Sequence, residues 1–313
     1  MPILAHPLAA RAAANVMQRA VALASKLAQQ GKSGALNPYQ RLRQYPRHTR
    51  ELIIPTSVAP APVVVYTPPA GEQRPAVHVN FHGGGFVLPQ HGSDDPLCRF
   101  LAAEAGVVVV DVDYAVAPQH PFPGPARQAY EVVRWIATHG AEEGWDGSRL
   151  SVGGQSAGGS LAAAVARQAL ELGGPPIALQ VLHYAALDLL TPIRQKRSSI
   201  GRPRLHPWLC DVFDSAYVQD RSLCADRLVS PANAKDVADL TGIAPAVVIT
   251  PEQDILHAES KRYAERLERH GALVAYHELP NVDHAYDMTD QALAGEVYAS
   301  IAQHLKRALT TTK

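Results

Sequence analysis

The stretch Arg149-Leu150-Ser151-Val152-Gly153-Gly154-Gln155-Ser156-Ala157-Gly158-Gly159 changes character at its centre. Its opening, 149–152, reads as a β-strand, and from Ser156 to Leu172 the pattern is helical. Between them lies a G-x-S-x-G string, Gly154 to Gly158, which puts Ser156 at the apex of a tight strand-to-helix turn. The centre of such a turn is strained, so its flanks must be small, and Gly154, Ala157 and Gly158 meet that demand. This is the setting that lifts a serine hydroxyl clear of a sheet as a nucleophile. The competing reading is a glycine-rich turn that holds an anion at a helix N-terminus.

Working outward, short apolar runs recur at 51–54, 63–66, 76–81, 107–112, 149–152, 177–183, 246–250 and 272–279, bounded by Pro and Gly. Helical patterns at 95–104, 125–138, 156–172, 255–270 and 292–309 separate most of them from the third run onward. Alternation of this kind predicts an α/β fold: a mostly parallel sheet with helices on both faces. One stretch interrupts it. About sixty residues separate Tyr184 from Ala246, with a basic segment at 193–204 and a short helix expected at 208–218. A connection this long usually carries function or a subdomain.

His82-Gly83-Gly84-Gly85-Phe86 follows the run 76–81. Acyl transfer develops negative charge on a former carbonyl oxygen, which needs preorganised N–H donors. Consecutive glycines let amides approach without a Cβ in the way. The candidate donors are Gly83 and Gly84, with the Ala157 N–H as third; a merely flexible loop is the alternative. A serine nucleophile also needs a base and an orienting acid, expected in the order Ser, acid, His. Asp254 follows the run 246–250 and His284 follows 272–279, both at carboxyl ends, where catalytic groups of open α/β sheets gather. Asp254 alone could be a helix N-cap. Asp188, Asp283 and Asp287 are the rival acids.

Composition narrows the partners. Lys plus Arg equals Asp plus Glu at 29 each in 313 residues, which argues against a broad electrostatic grip on nucleic acid or an anionic membrane. No apolar run approaches the roughly 20 residues of a membrane helix. Arg11, Arg19 and Lys26 interrupt any signal-peptide core, so a cytoplasmic location is expected. Val16, Ala20, Leu23 and Leu27 fall on one face of an amphipathic first helix, with Gly31 as its stop. Cys98, Cys210 and Cys224 have no zinc-site spacing and read as buried free thiols rather than a Cys210–Cys224 bridge.

Taken together, His82–Phe86, Asp113-Tyr114-Ala115-Val116-Ala117-Pro118, Pro121-Phe122-Pro123, Gly154–Gly159, Asp254-Ile255-Leu256 and His284 resemble the hormone-sensitive-lipase-like esterases, also called bacterial family IV. The resemblance runs from about residue 50 to the C-terminus. It implies the α/β-hydrolase fold with a central eight-stranded sheet and a helical cap. It implies hydrolysis of carboxylic esters of short to medium acyl chain through an acyl-enzyme, with no metal or organic cofactor. It divides the chain into cap residues 1–48, catalytic domain 49–187, cap insertion 188–232 and catalytic domain 233–313. It also implies a homodimer through the edge strand 272–279. Members usually carry Asp before the nucleophile and Glu after Ala-Pro, where this chain has Gln155 and Gln119. Ile255 and Ala285-Tyr286 stand where members commonly have Pro and Gly-Phe. The two glutamines suggest a network around the nucleophile rebuilt as neutral. Two other readings are an amidase or deacetylase acting on N-acyl small molecules with the same groups, and a receptor that binds a small ligand without turnover.

Overall fold

A computed structural model of the chain describes residues 6–29, 41–69, 73–89 and 92–310. Eight strands form one sheet: β1 (Thr49–Ile54), β2 (Ala61–Tyr66), β3 (Ala76–Phe81), β4 (Val108–Val112), β5 (Asp146–Gln155), β6 (Ile177–His183), β7 (Ala246–Pro251) and β8 (Leu273–Leu279). Their order is β1-β2-β4-β3-β5-β6-β7-β8. β2 is antiparallel to both β1 and β4, and every other pairing is parallel. All residues of β3 and β4 are buried, as a strand covered on both faces requires. The expected α/β-hydrolase architecture is therefore present, and the expected runs coincide with strands to within a few residues.

The helices are α1 (Pro7–Gln29), α2 (Asp95–Ala105), α3 (Gly124–His139), α4 (Ala157–Leu172), α5 (Pro207–Tyr217), α6 (His257–Arg269) and α7 (Gln291–Leu309). One apolar cluster joins α3, α4 and α6 to the sheet; a second joins α2 and α7 to it. The sheet is thus covered on both sides. α1 packs against α5, and both reach the first cluster, through Ala14 and through Val212, Phe213, Ala216 and Tyr217.

The face of α1 that packs is not the expected one. Val16 is 66% and Leu23 60% exposed, and Ala20 is exposed as well. Ala10 and Ala14 are buried instead, and Gln18 donates its side-chain amide to the carbonyls of Val87 and Ala117 at 2.8 and 2.9 Å. Small side chains let this helix lie close to the loops it covers, and an amide satisfies carbonyls that a leucine would strand. The Leu27 side chain and the Gly31 stop lie outside the described residues. Cys98, Cys210 and Cys224 are buried and free. Among the described residues, no helix is long and apolar enough to cross a membrane.

Candidate active site

β5 ends at Gln155 and α4 begins at Ala157, which leaves Ser156 alone at the turn with φ 54° and ψ −117°. A side chain at positive φ is strained and persists only where its surroundings over-determine it. Here they do: a Cβ at Gly158 would collide with the Phe81 carbonyl, so only glycine lets α4 start against the end of β3. Ser156 donates its N–H to the His183 carbonyl at 2.9 Å, which ties the turn to β6.

Asp254 follows β7 and His284 follows β8, so adjacent parallel strands deliver both to the same sheet edge as Ser156. His284 Nε2 lies 3.0 Å from Ser156 Oγ, and His284 Nδ1 lies 2.6 Å from Asp254 Oδ2. Asp254 Oδ1 also accepts the Leu256 N–H at 3.0 Å. That bond lies in the turn before α6, whose N-cap is Leu256 with no side-chain cap bond, so the cap reading of Asp254 does not hold. Both residues are buried, Asp254 to 1% and His284 to 5% exposure, so this contact is little screened by water. The rival acids go elsewhere. Asp188 holds Thr191 and Arg262, and Asp283 accepts the N–H groups of His284 and Arg204.

The glycine loop lies beside the turn. A Cβ at Gly83 would stand 3.3 Å from the Gln155 carbonyl oxygen and 3.7 Å from Ser156 Cβ. Among the described residues no acceptor takes the Gly83 or Gly84 N–H. The loop is anchored by His82, which stacks on Tyr114 with ring centres 4.3 Å apart. Burial opposes charge on His82, but Asp113, Asp111 and Asp94 outweigh it and hold the imidazole pKa above its ordinary value.

Two cavities open onto Ser156. The larger, about 250 Å³, contains Gly83, Gly84, Tyr184, His284 and Asp287. The smaller, about 40 Å³, contains Ala157, Phe86, Leu256 and Lys196. Gly85, Leu205 and Phe213 line both, and the last two come from the long connection after β6. Among the described residues no group of three or more His, Cys, Asp or Glu side chains is arranged to hold a metal ion.

Sequence reasoning missed the role of Gln155. Its amide Nε2 donates to Asp287 Oδ2 at 2.7 Å, and that carboxylate also accepts from the hydroxyls of Tyr184 at 2.9 Å and Tyr298 at 2.8 Å. The surroundings of Gln155 are therefore not neutral: the carboxylate absent at 155 has a counterpart across the pocket. Gln119 lies apart from this network, in an amide cluster with Asn15 and Gln18 of α1. Tyr184, one residue past β6, places its ring edge against His284 with centres 4.7 Å apart. Its position at a carboxyl strand end was the signal that could have marked it. Burial pushes neighbouring His183 down to about 4, so it is neutral at physiological pH.

A family model described as alpha/beta hydrolase fold matches residues 78–288. The chain is 35% identical to the carboxylesterase NlhH of Mycobacterium tuberculosis over 225 residues, 72% of this chain and 70% of that protein. It is 34% identical over 257 residues to an ethyl acetate hydrolase of Pseudomonas putida, with 78% of this chain and 79% of that protein covered. Among solved structures, an esterase of Pyrobaculum calidifontis superposes with a TM-score of 0.81 at 31% identity, covering 95% of this chain and 94% of that one.

Proposed function

The chain belongs to the hormone-sensitive-lipase-like carboxylesterases of the α/β-hydrolase fold, and on that premise we propose that Ser156, His284 and Asp254 are its nucleophile, base and orienting acid. The observation that carries this reading is the unbroken chain of contacts from Ser156 Oγ through the imidazole to Asp254. Neutral His284 takes the hydroxyl proton as Oγ attacks the ester carbonyl. Asp254 holds Nδ1–H and stabilises the imidazolium that forms. The N–H groups of Gly83, Gly84 and Ala157 receive the negative oxygen, in a site where buried dipoles act with little screening. His284 then returns the proton to the leaving alcohol, and a water activated the same way releases the acid from Ser156.

The leaving oxygen must face His284, so the larger cavity beside that residue takes the alcohol. The smaller one, on the Ala157 and Phe86 side, takes the acyl chain, and its size supports a preference for short to medium acyl groups. Residues 1–48 and 188–232 form the cap in this reading. α1 packs on α5, and α5 contributes Phe213 to both cavities, which supports it. A second copy pairing along the free edge of β8 and a cytoplasmic location complete the proposal. The half-exposed Val274 supports the first and the free thiols support the second.

The test is Ser156→Ala. Turnover of p-nitrophenyl butyrate should fall by about 10⁴-fold or more while the melting temperature holds. The wild-type enzyme should be labelled once per chain by a serine-directed phosphonate and the variant not at all. A variant that keeps near-normal turnover would remove Ser156 from the reaction.

A further inference from the structure

The small cavity beside Ser156 has an apolar wall and a charged end. Ile193, Leu205, Leu256 and Phe213 line it together with Lys196 and Asp214. The Lys196 side chain is 7% exposed, and its ammonium lies 2.5 Å from Glu259 Oε2. The other oxygen of Glu259 accepts the N–H groups of Leu187 and Asp188 at 2.8 and 3.2 Å, so that carboxylate is fully engaged. An ammonium has three donors. Among the described residues Glu259 is the one side-chain partner of the Lys196 ammonium. Asp214 feels the charges of Lys196 and Arg221 but takes no hydrogen bond from either, and burial pushes its carboxyl up to about 6.

This end of the cavity selects by chemistry. A hydrocarbon tip pushed against it would strip water from a cation and a carboxylate without replacing the lost bonds. A carboxylate tip would meet Asp214, and an amine tip would meet Lys196. A hydroxyl is the small neutral group that accepts from an ammonium and donates to a carboxylate at once. Size sets the chain length. At about 10–15 Å³ of cavity per water-sized group, 40 Å³ holds roughly three or four non-hydrogen groups beyond the carbonyl.

We propose that Lys196 and Asp214 form the polar end of the acyl subsite and that the enzyme prefers esters of short hydroxy acids, those of the 3-hydroxybutyrate type, over the plain acyl esters of equal length. This rests on the assignment of the small cavity to the acyl chain. A hydroxyl bonded to charged partners is worth about tenfold or more in kcat/KM over its absence.

The experiment compares p-nitrophenyl 3-hydroxybutyrate with p-nitrophenyl butyrate on one preparation, so that any general loss of activity cancels in the ratio. Wild type should favour the hydroxy ester by about tenfold. Asp214→Asn keeps the shape and removes the charge, and it should bring the ratio close to one. The double variant Lys196→Met with Glu259→Gln removes both halves of the buried pair, so no charge is stranded, and should do the same. A wild-type enzyme that favours plain butyrate overturns the proposal. So does a ratio that stays at its wild-type value in Asp214→Asn. A wild type inert toward both esters would instead remove the ester-hydrolase reading of Ser156, which is a different failure.

Discussion

On the His284 side of Ser156 one carboxylate, Asp287, takes hydrogen bonds from Gln155, Tyr184 and Tyr298. On the Phe86 side two carboxylates, Glu259 and Asp214, share the field of one lysine. The first arrangement is saturated by neutral donors in fixed directions. It binds together the residue before Ser156, the ring that touches His284, and the loop that carries His284. The second is compensated by charge and retains unused donors and acceptors. Buried charge on the two sides of Ser156 thus takes two forms: a saturated cluster holds geometry, and an unsaturated one keeps capacity for a ligand.

The saturated side should break hardest. Asp287→Ala strands three donors in a buried site, at about 1–3 kcal/mol for each group left unsatisfied. We expect a stability loss on the order of 3 kcal/mol or more, and a kcat lower by about ten- to a hundredfold at nearly unchanged KM. Denaturant unfolding and steady-state kinetics measure both. Normal kcat in a destabilised protein would reduce Asp287 to a structural residue and end its claim to position Tyr184 and Gln155.

The wall between the sides is the next target. Phe213 is 8% exposed and lines both cavities. Phe213→Ala should cost about 3 kcal/mol, the low end for a buried aromatic that borders existing space. It should also join the cavities. The kcat/KM for p-nitrophenyl octanoate relative to butyrate should then rise by about tenfold, because two or three more methylenes find an apolar path. An unchanged chain-length profile would mean that the cavities are not limited by this ring.

Gln155→Asp tests the saturated side more gently. By proximity alone, a carboxylate beside Ser156 would repel the proposed oxyanion. The structure redirects that expectation, since the side chain faces Asp287 at 2.7 Å. Two carboxylates in one buried site hold a single proton, so the pair titrates above the ordinary carboxylate range. A raised folded-state pKa contributes stability at low pH and loses it as pH rises through that value. The variant should therefore match wild type near pH 5 and fall behind by about 2 kcal/mol near pH 8. Thermal unfolding across that range checks it, and a deficit that shrinks with rising pH would contradict it.

Much of this was legible in the primary structure because the signals were local. The strand and helix runs announce themselves by period, and Ser156, Asp254 and His284 each follow a strand in the required order. The glycine loop His82–Phe86 is a contiguous string. What stayed hidden depends on pairs far apart in the chain. Gln155 meets Asp287 across 132 positions, and nothing near either one signals the other. Lys196 reads as one cation in the basic segment 193–204, and only its burial against Glu259 sets it apart. The first helix misled for a related reason. Its larger apolar residues suggest a buried face, but close approach to the loops favoured alanines and one glutamine amide.

The smallest expected effect separates the two sides by the sign of their response to acid. His183 lies in the saturated cluster, with Nε2 2.9 Å from the Tyr286 hydroxyl, and its pKa is lowered to about 4. As pH falls from about 6.5, the unfolded chain takes up that proton before the folded one does, so this side loses stability down to about pH 4. Glu259 and Asp214 are raised by burial to about 7 and about 6. The folded chain holds protons that the unfolded chain has released, so this side gains stability as pH falls through those values. Two gaining groups outweigh one losing group, so these three together should raise wild-type stability modestly from about pH 7 to pH 5. Asp214→Asn removes one of the two gaining terms and leaves His183 as it was. Whatever its absolute stability, the variant should stand higher relative to wild type at pH 7.5 than at pH 5. The difference is on the order of 1 kcal/mol, or about 2 °C in a chain of this size. If the gap between variant and wild type does not change with pH, Asp214 is not held as a strained carboxylate, and the contrast between the two sides of Ser156 loses its electrostatic half.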